Sequence, residues 1–158
     1  VQTCALPISE RVGNTYLDNF GFGRLGFAKT VNLNTTGNGL VSIPLLSGGL
    51  TNANASVGSG QVIIRRVTVN GANGSVSTAN VSITTSSDGN ISNAVVANTV
   101  LTNIVGVNTY QDLTVAAGYG ANTTVSGYTT QALYLNVNTA SGNANTVNFM
   151  VYGDVVQF

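Results

Sequence analysis

The sequence contains no histidine, no tryptophan and a single cysteine, and only ten of its 158 residues are charged. General acid–base catalysis usually relies on histidine or on paired carboxylates, and zinc sites need histidine, cysteine or clustered acids. Serine and threonine are abundant, but without a histidine or a nearby lysine none of them can be activated as a nucleophile. We therefore expect a structural or binding protein with no catalytic residues, no metal site and no cofactor. The acidic residues are scattered along the chain: Glu10, Asp18, Asp88, Asp112 and Asp154.

The low charge also argues against nucleic acid and membrane as partners. Five basic and five acidic residues give a net charge of zero, which attracts neither a phosphate backbone nor an anionic bilayer. The one basic pair, Arg65-Arg66, lies in a predicted strand, where neighbouring side chains face opposite ways and form no patch. No apolar run reaches the roughly 18 residues of a transmembrane helix. Weak repulsion between copies favours self-association, so we expect a homo-oligomer.

What the sequence does contain favours β-structure. Hydrophobic residues make up 43% of the chain, and Asn (21), Thr (20), Gly (19) and Ser (13) together account for 73 residues. Apolar and polar residues alternate in short stretches, as in half-buried strands. The clearest strand runs from Gln61 to Val69 and ends at the turn pair Asn70-Gly71. Further strands are predicted near residues 25–33, 40–46, 76–85, 94–104, 110–116, 133–137, 147–151 and 155–158.

Eight or nine short strands at regular spacing predict an all-β sandwich or barrel. Because a jelly roll has eight strands in two sheets, we expect a jelly-roll-like antiparallel β-sandwich over residues 25–158, preceded by an extended N-terminal arm. Tyr110 is a further core candidate. Alternation in the first strand places one set of residues on a common face, namely Leu25, Phe27, Lys29, Val31 and Leu33. We expect the Asn, Ser and Thr side chains of the strands to keep the outer face hydrated. The predicted core comprises Val62, Ile64, Val81, Ile83, Leu113, Leu133, Leu135, Phe149 and Val151.

The first 24 residues differ from the rest. Residues 1–8 resemble the translation of a common sequencing adapter, and we expect them to be non-native. Residues 9–24 form the predicted arm, which is rich in glycine and in aromatic residues. Exposed aromatic clusters usually mark interfaces, so Tyr16, Phe20 and Phe22 are candidate contacts to a neighbouring subunit. A first strand or loop that covers the core of the same domain is an equally good interpretation.

Tyrosines suggest a second candidate site. Tyrosine rings can stack on sugars, and such a platform could include Tyr110, Tyr119, Tyr128, Tyr134 and Tyr152. The candidate site is the group in or near one Gly-, Asn- and Thr-rich segment, which comprises Tyr119, Tyr128 and Tyr134. A carbohydrate-binding module of a surface, filament or tail protein is therefore the alternative function. Packing in a core or an interface is the commoner use of tyrosine.

Several strand and turn segments together are typical of one family. They are Val62–Val69, Thr78–Thr85, Ser87–Asn90, Ala94–Asn98, Thr109–Thr114, Leu133–Val137 and Val151–Val156. Through these segments the chain resembles, from Gly39 to Phe158, a family of small virion proteins of tailed bacteriophages. The resemblance implies a virion protein that decorates or stabilises the capsid, with no enzymatic residues to carry over. Its implied partners are the phage major capsid protein or other virion proteins, and its implied location is the virion.

Overall fold

A computed structural model describes residues 23–45, 61–117 and 132–156, which form two four-stranded antiparallel sheets. Sheet A has the strand order β1-β8-β3-β6, and sheet B has the order β2-β7-β4-β5. The structure confirms the predicted all-β antiparallel sandwich. The strands are β1 (Gly23–Asn32), β2 (Gly37–Pro44), β3 (Gln61–Asn70), β4 (Asn80–Thr84), β5 (Ala94–Val100), β6 (Gln111–Leu113), β7 (Ala132–Thr139) and β8 (Thr146–Val156).

The strand pairing is nested. β1 pairs with β8, β2 with β7, β3 with β6 and β4 with β5, while β3–β8 and β4–β7 contacts complete the sheets. Isolated bridges join the two sheets at both sides, between Gly26 and Leu45 and between Val96 and Val115. These bridges occupy part of the edges of the sandwich, where unpaired backbone groups would otherwise invite other chains.

The core lies between the sheets and contains all nine residues that the sequence predicts there. None of them is more than 4% exposed, and Phe149 is the largest of the fully buried side chains. Alternation explains this result, because every second residue of β7, of β8 and of β3 up to Ile64 points to the same side of its sheet. Strand β1 begins at Gly23, so it includes the last two residues of the predicted arm; residues 1–22 lie outside the described part.

Two of the expectations about aromatic residues are wrong. Phe27 is 43% exposed, because register shifts at Arg24/Gly26 and at Ala28/Val31 interrupt the alternation of β1. A bulge adds one residue to a strand and turns the following side chains to the other face. Tyr110 is 67% exposed, because it precedes β6 and belongs to a loop.

The prediction for the Arg65-Arg66 pair is also wrong, since both side chains lie on the outer face of sheet A. A bulge between Ile64 and Arg66 places two residues between the buried Ile64 and Val67. Arg65 forms an ion pair with Asp154, and Arg66 stacks on Tyr152, two residues away on the same side of β8.

Candidate functional site

The structure describes one of the six residues that the sequence proposes for binding. Tyr134 lies in β7, half-buried on the outer side of sheet B, with Ser42 and Thr84 as its neighbours in β2 and β4. The interface candidates Tyr16, Phe20 and Phe22 lie outside the described residues, and so do the sugar-binding candidates Tyr119 and Tyr128.

The polar groups beside Tyr134 are already bound within the protein. Asn136 is fully buried, and its Nδ2 donates to the Thr84 hydroxyl (3.0 Å) and to the Ser82 hydroxyl (3.3 Å). Its Oδ1 accepts from the Gly39 backbone N–H at 2.7 Å. This part of the outer face is therefore dry rather than hydrated, contrary to the expectation, and these buried groups are not free to bind a sugar.

Two chain segments contribute to the cover over Asn136. The bulged start of β2 meets the β4–β5 connection, where Asn38 Nδ2 donates to the Asp88 carbonyl at 2.9 Å. The backbone of Gly39 passes so close to Ser87 that a β-carbon on Gly39 would lie 2.6 Å from the Ser87 carbonyl oxygen. Glycine is required at this position by the close approach and by its φ of +59°.

Four loops meet at the other end of the sandwich, and none of them contains a charged residue. Hydrogen bonds tie the loops together: the Ser141 N–H donates to the Leu33 carbonyl at 2.9 Å, and the Val76 N–H donates to the Ile104 carbonyl at 3.0 Å. An interface centre is similarly poor in charge. The loops are β1–β2 (33–36), β3–β4 (71–79), β5–β6 (101–110) and β7–β8 (140–145).

Asparagine side chains fix the geometry of this loop end. Asn143 and Asn145 both donate from Nδ2 to the Ser75 carbonyl, at 2.9 and 3.0 Å. Asn73 accepts the Thr146 backbone N–H at 2.8 Å on its Oδ1. Short amide side chains can replace backbone partners in this way, so the loops are held without regular secondary structure.

The β5–β6 loop is anchored both to the core and to β6. Its residues Leu101 and Ile104 are fully buried in the core. Gln111, the first residue of β6, is 8% exposed and spans the base of the loop. Its Nε2 donates to the Val100 carbonyl at 2.9 Å, and its Oε1 accepts the Asn103 N–H at 3.0 Å. The loop is therefore a rigid support for the residues that project from it.

Three large apolar side chains project from this loop, and we call them the apolar tip. They are Val105, Val107 and Tyr110, which are 62%, 61% and 67% exposed. The turn between them is closed by Thr109, whose hydroxyl donates to the Gly106 carbonyl. Exposed apolar residues that cluster on a rigidly supported loop are typical of interaction sites.

Sequence reasoning missed the apolar tip. It placed Tyr110 in the core and ended the fifth strand at Ile104, whereas β5 ends at Val100. The turn-forming residues Gly106 and Asn108 were the available signal, and Asn108 adopts a φ of 62°. Local pattern could not show which apolar residues around that turn contact the core.

Within residues 23–45, 61–117 and 132–156, no three His, Cys, Asp or Glu side chains come together at a metal site. The hydroxyl of Ser86, followed by the backbone N–H of Asn90, lowers the pKa of Asp88, so this carboxylate stabilises a turn. In the same ranges, no helix has the length and apolar character to cross a membrane.

Comparisons with known proteins found no matching family model, no matching curated protein and no matching solved structure. The resemblance to phage virion proteins therefore stays an expectation from the sequence, and the candidate site rests on the geometry of the loop end.

Proposed function

We propose that this chain is a non-enzymatic structural protein of a phage virion, which decorates or stabilises the capsid by docking through the apolar tip. The observation that carries the proposal is the exposure of Val105, Val107 and Tyr110 on an anchored loop, at an uncharged end of the sandwich. Interface centres combine aromatic and apolar side chains with few charges. The sequence resemblance between Gly39 and Phe158 supports a virion as the setting.

We also propose that the sandwich is a jelly roll. Pairing of the first strand with the eighth, the second with the seventh, the third with the sixth and the fourth with the fifth supports this assignment. Jelly rolls occur in viral capsid and lectin domains, which agrees with both functions suggested by the sequence. This agreement is an analogy between folds, and the function depends on the site.

Co-sedimentation tests the docking proposal. The purified protein is mixed with capsids assembled from the major capsid protein encoded in the same genome, and bound protein is measured over a concentration series. We expect saturable binding that Tyr110→Ser weakens by about tenfold or more, since buried aromatic side chains dominate interface energies. Val107→Ser should weaken binding to a smaller extent.

Ile91 provides the matched control, because it is also apolar and exposed (52%) but lies in the β4–β5 connection. Ile91→Ser should leave capsid binding unchanged. Absence of binding by the wild type, or equal losses in Ile91→Ser and Tyr110→Ser, would contradict docking through the apolar tip. A glycan array tests the alternative function: specific sugar binding that Tyr128→Ala abolishes, without capsid binding, would replace this proposal.

A further inference from the structure

The basic residues of the described chain all lie in two strands of sheet A. Arg24 and Lys29 belong to β1, and Arg65 and Arg66 belong to β3. Arg65 is neutralised by Asp154, with 3.0 Å between Nε and Oδ2. Within the described ranges no carboxylate lies at ion-pair distance from the other three cations. Sheet B contains no basic residue in its strands.

Aromatic rings support the three unpaired cations on the outer side of sheet A. The Arg66 guanidinium lies 4.6 Å from the centre of the Tyr152 ring. Arg24 and Lys29 lie 5.1 and 5.4 Å from the centre of the Phe27 ring. A guanidinium stacked on a ring keeps the N–H donors at its edge available for a carboxylate. The rings therefore hold the cations in place, although the Nε atom of Arg66 is itself buried without a hydrogen-bond partner among the described residues.

The strand register brings these groups into one surface. Tyr152 in the middle strand β8 is paired with Arg24 on one side and with Arg66 on the other. Met150 lies two residues along β8 and is paired with Phe27. The two arginines are thus separated by two strand spacings, or about 10 Å at their backbones. Both arginines therefore lie beside the same apolar strip of sheet A.

We propose that this surface binds an acidic segment of a partner protein. We call it the cationic face and define it by Arg24, Phe27, Lys29, Met150, Tyr152 and Arg66. Its charge complements carboxylates, and its rings and thioether offer apolar contact to the stems of glutamate side chains. The cationic face shares no residue with the apolar tip, and its binding does not depend on the virion assignment.

The same surface fits nucleic acid less well. Proteins that bind single strands offer free aromatic rings on which bases stack. Here Phe27 and Tyr152 are already stacked against the protein's own cations. The three cations that have no carboxylate partner among the described residues belong to a chain of zero net charge, so they also give few phosphate contacts.

The test uses the full chain and a fluorescein-labelled oligoglutamate peptide, with binding followed by fluorescence anisotropy at low and at raised ionic strength. We expect binding that salt weakens, because the contacts are exposed and screened. Arg24→Gln and Arg66→Gln should each weaken binding about threefold, a typical effect of losing one exposed ion pair. Lys29→Gln, a change at an exposed side chain that leaves the fold intact, should act in the same direction.

The matched control removes a charge of each sign from the same sheet. Arg65→Gln combined with Asp154→Asn keeps the net charge and should leave oligoglutamate binding within about twofold of wild type. Oligothymidylate and oligolysine serve as competing probes. No binding of oligoglutamate, tighter binding of oligothymidylate, or equal losses in the control and in Arg66→Gln would overturn the proposal. Failure of capsid docking would leave these results unaffected.

Discussion

At the scale of single residues, asparagine carries much of the polar organisation that the structure describes. Asn136 joins β7 to β4 and to the start of β2, while Asn143 and Asn145 join the β7–β8 loop to Ser75. One amide can donate and accept at once, so it satisfies groups on two sides without introducing charge. The buried and the exposed members of this set should differ strongly in their contribution to stability.

Replacing Asn136 by alanine should lower the free energy of unfolding by about 2–4 kcal/mol. The change leaves the part-buried Gly39 N–H without its acceptor and removes a donor from the buried Thr84 hydroxyl, which keeps its own bond to the Ser86 carbonyl. Each unsatisfied group costs about 1–3 kcal/mol. Asn138→Ala is the matched control: Asn138 bonds to Asn98 and Ser82 but is exposed, so the loss should stay below about 1 kcal/mol. Urea unfolding measures the stability of both variants. Equal losses of stability would contradict the conclusion that the outer face around Asn136 is shielded from water.

The two phenylalanines of the described strands should respond very differently to truncation. Phe149→Ala removes a fully buried ring and should cost about 3–5 kcal/mol. Phe27→Ala removes a ring that is 43% exposed and stacked with two cations, and should cost about 1 kcal/mol or less. Chemical denaturation of the two variants measures the difference. A larger loss at Phe27 would mean that the first strand alternates as its sequence predicts.

Asp88 should titrate below 3.8, the ordinary pKa of an aspartate, because the Ser86 hydroxyl and then the Asn90 N–H stabilise its ionised form. A carboxyl whose pKa is lowered by folding stabilises the folded state above the unfolded pKa, and this stabilisation is lost as the pH falls through the folded pKa. NMR titration should therefore place the Asp88 midpoint below 3.8, and Ser86→Ala should raise it. A midpoint at or above that value would rule out the turn contacts.

At the scale of the strand, the bulge in β3 decides where two of the five basic side chains lie. It adjoins Gly153 of β8, where a β-carbon would lie 1.9 Å from the Ile63 carbonyl oxygen. The absence of a side chain lets the two backbones approach next to the bulge. Arg65 and Arg66 then share the outer face instead of facing opposite ways.

Gly153→Ala should destabilise the protein by about 2 kcal/mol or more, because a backbone carbonyl cannot move aside as a flexible side chain can. Gly106→Ala is the control, since its β-carbon would meet nothing within 4 Å. Thermal unfolding compares the two variants. If Gly153→Ala were as stable as wild type, the close approach beside the bulge would be wrong.

At the scale of the whole molecule, the described residues form a core of their own, and residues 9–22 of the predicted arm precede β1. Deleting residues 11–22 should therefore leave the β-sandwich folded, as judged by circular dichroism and by cooperative unfolding. The deletion removes Tyr16, Phe20 and Phe22, so we expect weaker self-association or weaker capsid binding in sedimentation experiments. Unfolding of the domain, or association equal to that of the intact chain, would show that these residues cover their own core.

The sequence by itself determined the β class, most strand positions and the nine predicted core residues, because a period of two is a local property of the chain. Only the tertiary structure decided that Arg65 and Arg66 share a face, that Asn136 is buried and that Tyr110 is exposed. The register beside Gly153, the cover over Asn136 and the path of the β5–β6 loop all depend on contacts between segments far apart in sequence. A local sequence pattern carries no information about such long-range contacts. Both candidate binding surfaces of this protein, the apolar tip and the cationic face, depend on these contacts.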